Sequence, residues 1–366
     1  MLDSTVVTNT NQTQTTSIKK MKIIIDILHP AHVHFFKNFI LDMQQDGHEI
    51  LVTTRSKDIT TNLLDQYKIP YTKISDSKIG LVGMATELIS RTRKFIKIAK
   101  EFKPDVLMGE HGTTIAIAGK LLKVPSLVYW DTEVAKLVNT ITYPLATTVY
   151  TPTSYTGKVH GHHVTYKGYQ KLAYLHPNQF TPNKDILKKY NITQEKDQKN
   201  GFVLIRFVAF KYNHDKDCIG IKNKIDFVQE IAKHQKVYIS SESPLPEELK
   251  PYELKIDVTD IFDIMSQASL YIGESPTMAT EAALLGVPSV YISNSPRGYI
   301  TELHEKYKLV IWAQTERDGL KESINILTNK ESKTTWQKRK ETMLKDMIDV
   351  TEWMKETVKN KDWKKK

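Results

Sequence analysis

Three histidines lie within six residues of one another, directly after an apolar run with β-branched side chains. The run, KIIIDIL over residues 22–28, predicts a buried strand, and the residues after it follow a helical period. A helix N-terminus carries unpaired N–H groups and partial positive charge, and an imidazole exchanges protons near neutral pH. We therefore predict that His29 contacts a ligand and that His32 or His34 transfers a proton in catalysis. Helix capping and metal ligation are the alternatives.

A second candidate loop joins a predicted strand at residues 104–109 to a predicted helix of small residues at 113–122. A glycine in this loop allows close backbone approach, and two of its neighbours are titratable. Helix capping by a threonine is the alternative. The predicted ligand contacts are Glu110, His111, Gly112 and Thr113.

Two carboxylates follow the next predicted strand, at residues 124–130, which ends in two aromatic residues. Carboxylates bond hydroxyl groups, and an aromatic face can cover the apolar side of a sugar ring. We predict that Asp131 and Glu133 act in catalysis or in sugar binding. The alternative is an ordinary helix start, with Asp or Thr as the cap and Glu in the first turn.

The strongest candidate loop spans residues 273–288 and predicts a strand, a small-residue turn, a helix and a second strand. A helix N-terminus at this place suits a diphosphate, and a carboxylate on the helix can accept hydrogen bonds from ribose hydroxyls. A generic strand-to-helix turn is the alternative. The predicted ligand contacts are Glu274, Ser275, Pro276, Thr277 and Glu281.

One arginine lies near the end of a predicted strand at residues 202–207. The guanidinium of Arg206 is suited to a phosphate, and an ion pair between domains is the alternative. We expect His214 and Asp215, which follow it, to line the same cleft.

The elements that position these loops are strands alternating with helices, which predict parallel βαβ units. A length of 366 residues fits two α/β domains. We therefore predict an α/β fold with two Rossmann-like, doubly wound parallel-sheet domains that face a central cleft. Ligands bind such sheets beyond the carboxyl ends of their strands.

Changes in composition predict the boundaries of these domains. A polar tail at residues 1–20 has little to bury and is expected to be disordered. A first domain over 21–176 precedes a polar, proline-containing linker at 177–200. A second domain follows over 201–333. Residues 334–366 are predicted to form a long amphipathic helix and a basic tail.

Composition also indicates the cellular compartment and the class of binding partner. The net charge of +10 favours anionic partners, and the single cysteine excludes a disulfide framework. No apolar run approaches the roughly 18 residues of a membrane span, and no signal-peptide pattern opens the chain. We expect a cytoplasmic protein, and no specific nucleic-acid partner, because no RRM, KH or zinc-finger signature is present.

Residues 84–102 form a basic amphipathic pattern that suits an anionic membrane at its inner face. The alternative is a domain helix whose apolar face packs on the sheet. The apolar members are Leu88, Ile89, Phe95, Ile96 and Phe102, and the basic members are Arg91, Arg93, Lys94, Lys97 and Lys100.

The loop at 273–288 resembles the nucleotide-binding half of GT-B nucleotide-sugar enzymes, and of non-hydrolysing UDP-N-acetylglucosamine 2-epimerases in particular. It keeps their Glu-Ala pair at 281–282 and their Leu-Gly-x-Pro at 285–288, but it has Ser-Pro at 275–276 where they have two glycines. The loop at 29–34 resembles that of GT-B glycosyltransferases in which a histidine is the base for the acceptor hydroxyl. From residue 21 to about 350 the chain resembles an uncharacterised prokaryotic domain family found in surface-polysaccharide contexts.

These resemblances imply a GT-B glycosyltransferase that moves a sugar from a nucleoside diphosphate sugar, UDP-linked, to a glycan or lipid-linked acceptor. The first domain would bind the acceptor, and the second would bind the nucleotide sugar. The resemblance implies no metal and no cofactor besides this co-substrate. Two alternatives stay open, namely a UDP-N-acetylhexosamine 2-epimerase and a non-catalytic sugar-nucleotide-binding protein.

Overall fold

The structure is a computed structural model that describes residues 20–56, 58–76, 80–133, 136–192, 201–208 and 220–364. Two groups of predictions fall outside these ranges. The first is the disordered tail, of which only Lys20 is described. The second is the pair His214 and Asp215.

The N-terminal half is built on seven parallel strands. They are β1 (Lys22–Ile27), β2 (Glu49–Ser56), β3 (Tyr71–Asp76), β4 (Val106–Glu110), β5 (Ser126–Tyr129), β6 (Thr148–Pro152) and β7 (His163–Tyr166), in the order β3-β2-β1-β4-β5-β6-β7. The helices are α1 (Pro30–Gln45), α2 (Asp58–Gln66), α3 (Leu81–Phe102), α4 (Thr113–Leu122) and α5 (Lys136–Leu145). A connecting segment, residues 167–192, follows with the short helices α6 (Leu172–Leu175) and α7 (Ile186–Lys189).

The C-terminal half is built on five parallel strands. They are β8 (Val203–Phe207), β9 (Val237–Ser241), β10 (Leu270–Gly273), β11 (Ser289–Ile292) and β12 (Val310–Ala313), in the order β12-β11-β10-β8-β9. The helices are α8 (Lys224–Ala232), α9 (Ile261–Gln267), α10 (Pro276–Leu285), α11 (Gly298–Glu305), α12 (Glu316–Thr328), α13 (Ser332–Asp346) and α14 (Val350–Asn360). Short 3-10 turns cover Glu247–Tyr252, Val258–Asp260 and Asp362–Lys364.

The prediction of two doubly wound parallel sheets is confirmed. Strand β1 explains why, because its isoleucines are buried on both faces of the sheet. Ile24 lies opposite Leu51 of β2 on one side and Leu107 of β4 on the other. Because parallel strands end at the same edge of a sheet, the loops after β1, β4 and β5 come together there.

Two edge strands of the first sheet are not indicated by the sequence pattern. In β3, Thr72 and Lys73 are exposed, and in β7 the first residue, His163, is exposed. An edge strand has only one neighbour and needs fewer apolar residues than a central one. Both strands therefore lack the continuous apolar run that marks β1.

The prediction of one long helix over residues 334–366 is wrong. The structure has two helices, α13 and α14, and Asp349 ends the break between them by accepting a hydrogen bond from Glu352 N at 3.2 Å. Helix α14 returns to the N-terminal half and packs on α1 and α6. There, Thr351 Oγ1 donates to the Ala173 carbonyl at 2.7 Å, and Lys355 pairs with Asp42 at 3.0 Å.

The predicted membrane-facing pattern at 84–102 is wrong for two of its members. Phe95 is fully buried against the sheet, and Arg91 is buried and paired with Asp26 of β1. These side chains hold α3 on the N-terminal half. Within the described residues, no helix is both long enough and apolar enough to cross a bilayer.

Candidate functional site

Two buried carboxylates meet at the carboxyl edge of the first sheet. Glu110 ends β4, and Asp131 lies two residues beyond the end of β5, which pairs with β4 in parallel. The Gln170 side chain, oriented with its amide nitrogen toward them, donates to Glu110 Oε1 at 3.1 Å and to Asp131 Oδ2 at 3.1 Å. The structure thus brings together two of the predicted residues and adds a third.

A buried lysine completes this cluster. The Lys171 ammonium pairs with Asp131 and lies 4.3 Å from the ring centre of Tyr299, on α11 of the C-terminal half. Burial opposes the charge of Lys171, but the neighbouring carboxylate of Asp131 raises its pKa above the ordinary value. Lys171 therefore stays charged and links the cluster to the second half. No motif marks Gln170 or Lys171, because both belong to the connecting segment.

Glu110 is a carboxyl group whose pKa is strongly raised. Burial, followed by the negative charge of Asp131, raises the pKa of Glu110 from 4.5 to about 8, while Lys171 opposes the rise. A carboxyl group with this pKa holds a proton in part of the molecules at neutral pH. It can therefore both accept and donate a proton.

His32 lies beside Glu110 in a defined orientation. Its Nδ1 accepts a hydrogen bond from Leu28 N at 3.2 Å, so the neutral imidazole carries its proton on Nε2. That Nε2 lies 3.9 Å from Glu110 Oε2, and the ring packs edge-on against His111, with 5.5 Å between the ring centres. In this arrangement the ring presents an N–H toward Glu110, and the carboxyl group is the better proton acceptor of the two.

His34 lies elsewhere, among aromatic rings. Its ring centre is 4.9 Å from that of Phe262 on α9 and 5.5 Å from that of Tyr174 on α6, and Tyr67 Oη lies 3.4 Å from Nδ1. Burial, with the positive charges of Lys37 and His29, lowers the pKa of His34 to about 3. His34 thus stays neutral and packs where the two halves meet, whereas His32 faces the carboxylates.

The remaining predicted residues of the first sheet surround the cluster. His29 is exposed and caps α1, with Nδ1 accepting from Ala31 N at 3.2 Å. His111 has a positive φ of 63° and packs on Trp130 at 4.2 Å between ring centres, and burial lowers its pKa to about 4. A left-handed residue of this type stores backbone strain, which is common at functional sites.

The position after His111 has room only for a glycine. A Cβ at Gly112, which has φ 39°, would lie 2.7 Å from Val128 Cγ2. Gly112 is also the N-cap position of α4, so the alternative of a threonine cap is wrong. The Thr113 hydroxyl instead shares a hydrogen bond of 2.8 Å with Thr142 on α5.

Helix α10 presents its N-terminus at the carboxyl end of β10. Ser275 caps it by accepting from Met278 N at 3.3 Å, and Pro276 and Thr277 form the partly exposed first turn. The partial positive charge of such an end favours an anion. A helix N-terminus thus lies where the sequence predicts one, and the binding of a diphosphate there stays a prediction.

Glu281 on α10 contacts the connecting segment. It accepts a hydrogen bond from Tyr174 Oη at 2.7 Å. Burial raises the pKa of Glu281 to about 7, while Tyr174, Lys171 and Arg206 act in the opposite direction. The charge of Lys171 in the connecting segment therefore acts on a carboxyl group of the second half.

Two predicted ligand contacts of the second half, Glu274 and Arg206, form hydrogen bonds within that half. Both oxygens of Glu274 accept backbone N–H groups, from Val208 at 2.9 Å and from Ile221 at 2.7 Å. Arg206 donates to Ser240 Oγ at 2.6 Å and to Glu242 Oε1 at 2.8 Å. Glu274 thus holds the backbone on either side of residues 209–219. The positive charge of Arg206 acts to lower the pKa of Glu281.

Glu133 joins the two halves beside a cavity. Its Oε1 accepts a hydrogen bond of 3.2 Å from Gly298 N, at the N-terminus of α11. The cavity measures about 440 Å³ and lies between the halves, lined by Glu133, Thr153 and Thr156 on one side and by Arg297, Thr301 and Glu302 on the other. Among the described residues, no group of three or more His, Cys, Asp or Glu side chains could hold a metal ion.

The arrangement of the two halves is similar to that of known GT-B structures. Spinosyn forosaminyltransferase SpnP is 9% identical, with a TM-score of 0.64 over 93% of this chain and 99% of its own. The MnaA–UDP co-structure of S. aureus is 11% identical, with a TM-score of 0.67 over 93% and 96%. The UDP-GlcNAc 2-epimerase of Methanocaldococcus jannaschii is 14% identical, with a TM-score of 0.60 over 87% and 98%. The predicted GT-B fold is confirmed.

Sequence comparison leads to one family. The uncharacterized protein MJ0665 of Methanocaldococcus jannaschii is 23% identical over 291 residues, which cover 74% of this chain and 81% of the relative. The family described as "Protein of unknown function (DUF354)" matches residues 21–362. That range covers nearly all of the chain and confirms the resemblance to a prokaryotic domain family related to both enzyme groups. The chain belongs to the DUF354 family.

Proposed function

We propose that the protein is a GT-B glycosyltransferase that moves a sugar from a nucleoside diphosphate sugar, UDP-linked, to a hydroxyl group of a glycan or lipid-linked acceptor. The observation that carries the proposal is that Glu110 and His32 lie at the carboxyl edge of the first sheet, while α10 begins at the carboxyl end of β10 and its Glu281 accepts a hydrogen bond from Tyr174 of the connecting segment. The similar folds include a forosaminyltransferase and a protein bound to UDP. In this proposal residues 21–176 bind the acceptor and residues 201–333 bind the donor, in glycoconjugate biosynthesis.

The proposed reaction is a direct displacement. The acceptor oxygen attacks the anomeric carbon and forms the new glycosidic bond as its proton passes to the Glu110 carboxylate. The bond between the anomeric carbon and the diphosphate oxygen breaks, and the electron pair leaves with the diphosphate. Nε2 of His32 lies 3.9 Å from Glu110 Oε2, and the Asp131–Lys171 pair fixes the position of Gln170 between the carboxylates.

The leaving group needs stabilisation at the opposite edge. The N-terminus of α10 supplies backbone N–H groups and partial positive charge where the diphosphate develops its negative charge. Glu281 would hold the ribose, and its present partner Tyr174 would yield or share the carboxylate. Asp131, Glu133 and His111 would contact sugar or acceptor.

Binding and transfer test this proposal separately. In a thermal-shift panel of UDP-, GDP-, CMP- and dTDP-sugars, we expect one class, UDP, to raise the melting temperature, because a ligand of the native state stabilises it by mass action. UDP release from that sugar should then depend on an added acceptor. Glu110→Gln should bind the donor like the wild type but release little UDP. If no nucleotide sugar shifts the melting temperature, the proposal is wrong.

One observation favours a 2-epimerase as a second candidate. Glu110 and Asp131 are two acid–base groups that face one site, and such a pair could remove and return a proton on a sugar carbon. Incubation with a UDP-N-acetylhexosamine in D₂O, without acceptor, separates the two candidates. Deuterium at C2 of the sugar would identify an epimerase, and an unlabelled sugar would favour transfer.

A further inference from the structure

Helix α3 exposes aliphatic side chains along its first turns. Val82 is 79% exposed, Met84 is 56% exposed and Ile89 is 54% exposed. The helix does not need Val82 and Ile89 to pack, because Phe95 and Ala99 are buried on its opposite side. Exposed aliphatic residues this close together on one element indicate an interaction surface.

The same side of α3 continues as a basic surface. Arg93, Lys97 and Lys100 follow Ile89 at intervals of three or four residues, so they share one side of the helix, and all three are exposed. We call Val82, Ile89, Arg93, Lys97 and Lys100 the α3 stripe. Lys94 is exposed beside it, and Glu101 is the one exposed acidic residue of the stretch 93–101.

The position of the stripe relates it to the site. Helix α3 begins after β3, so its aliphatic end lies at the carboxyl edge of the first sheet. That edge also carries His32 and Glu110. A ligand surface that contacts Val82 and Ile89 therefore lies on the side of the molecule where the site opens.

We infer that the α3 stripe docks the protein on an anionic lipid bilayer. Val82 and Ile89 enter the boundary between headgroups and acyl chains, and the basic residues contact anionic headgroups. A helix with an aliphatic end and a basic end on one side matches this environment. A second copy of the chain matches it less well, because a two-fold contact of this surface would bring the same cations together.

Vesicle flotation tests the inference on the full chain. Phosphatidylcholine vesicles with about one quarter phosphatidylglycerol should bind the wild type at low salt, and binding should fall at high salt and with phosphatidylcholine alone. Ile89→Asp should lose most of the binding. Lys97→Glu should weaken binding by at least about five-fold, the effect of one interfacial charge.

Matched controls separate docking from folding and from the proposed enzyme activity. Leu121 on α4 is 66% exposed and lies outside the stripe, so Leu121→Asp should bind vesicles like the wild type. All variants should keep the wild-type melting temperature and its shift with UDP-sugar, which depend on neither the stripe nor lipid. Absence of wild-type binding at low salt, or equal binding by Ile89→Asp and Leu121→Asp, overturns the inference. A dimer that Ile89→Asp abolishes, without vesicle binding, also overturns it and assigns the surface to a second copy.

Discussion

Burial shifts the pKa values of Glu110 and of its neighbour His111 in opposite directions. It raises the pKa of the carboxyl group to about 8, and it lowers the pKa of His111 to about 4. The reason is that burial disfavours whichever form is charged, the carboxylate in one case and the imidazolium in the other. At neutral pH the cluster therefore contains the neutral imidazole of His111 and a carboxyl group that titrates.

Replacing Glu110 tests which residue carries the proton. Glu110→Gln should lower kcat by about 10²- to 10⁴-fold, because an amide cannot accept a proton. The wild-type rate should rise with pH up to about 8, where the Glu110 carboxylate forms, and the variant should lose this rise. The measurement is UDP release as a function of pH, with the exposed Glu101→Gln as control. An unchanged profile in Glu110→Gln would assign the proton to another group.

Replacing His34, unlike replacing Glu110, should change stability and leave transfer nearly unchanged. Its folded pKa of about 3 lies below the ordinary 6.5, so the unfolded chain binds more protons between these values. The wild type should therefore lose stability as the pH falls through this window, and His34→Phe should lose less. Transfer should stay within a few-fold of the wild type. Thermal melts across the window and one rate measurement check this, and a rate as low as that of His32→Phe would restore His34 as a catalytic candidate.

The difference between His32 and His34 shows which features of the site the sequence can and cannot predict. The pattern predicts correctly that a helix follows β1, but residues two apart on a helix point about 200° from each other. His32 therefore faces Glu110, while His34 faces Phe262 of the other half. Only the packed structure tells which direction leads to the site.

At the scale of elements, the loops after central strands are the predictable part. Strands β1, β4, β5 and β10 are marked by apolar runs, and in a parallel sheet a loop that follows such a run lies at the ligand edge. Lys171 and Gln170 have no such marker. They reach the site because the connecting segment folds back against it, which no local pattern records.

The cap of α10 allows a test of the diphosphate position. Ser275→Ala removes the hydrogen bond to Met278 N and should lower the free energy of unfolding by about 1 kcal/mol. Ser275→Asp keeps a good cap but adds negative charge where the diphosphate would bind. We expect stability near the wild type and nucleotide affinity reduced about ten-fold.

A second cap provides the control for this test. Thr315 caps α12 by accepting from Asp318 N at 3.1 Å, so Thr315→Asp makes the same change on another helix. Calorimetric titration with UDP and urea unfolding measure the two effects. Equal nucleotide affinity in Ser275→Asp and Thr315→Asp would place the diphosphate elsewhere.

At the scale of the whole molecule, the contacts that join the halves near the site include three between described residues. They are Tyr174 with Glu281, Lys171 with Tyr299, and Glu133 with Gly298. Beside the last contact the two backbones also approach closely, because a Cβ added at Gly298 would overlap the Ser154 carbonyl oxygen. A glycine here permits the two halves to approach.

Gly298→Ala should therefore separate the halves without unfolding them. We expect transfer to fall about ten- to hundred-fold, since a displacement of about 1 Å between reacting groups is enough for such a loss. Small-angle scattering should show a larger radius of gyration, with unchanged circular dichroism. Thr301→Ala, on the same helix, is the control. A variant with wild-type dimensions and rate would show that the contact is dispensable.

Helix α14 has a consequence for how the protein is made. It covers α1 and α6 of the N-terminal half, although the whole C-terminal half separates it from them in the chain. During translation, the side of α1 and α6 that packs on α14 therefore stays uncovered until residues 350–360 have left the ribosome. A stalled or shortened chain would expose that surface. Chaperones that bind apolar segments would then be expected to bind it until α14 covers it.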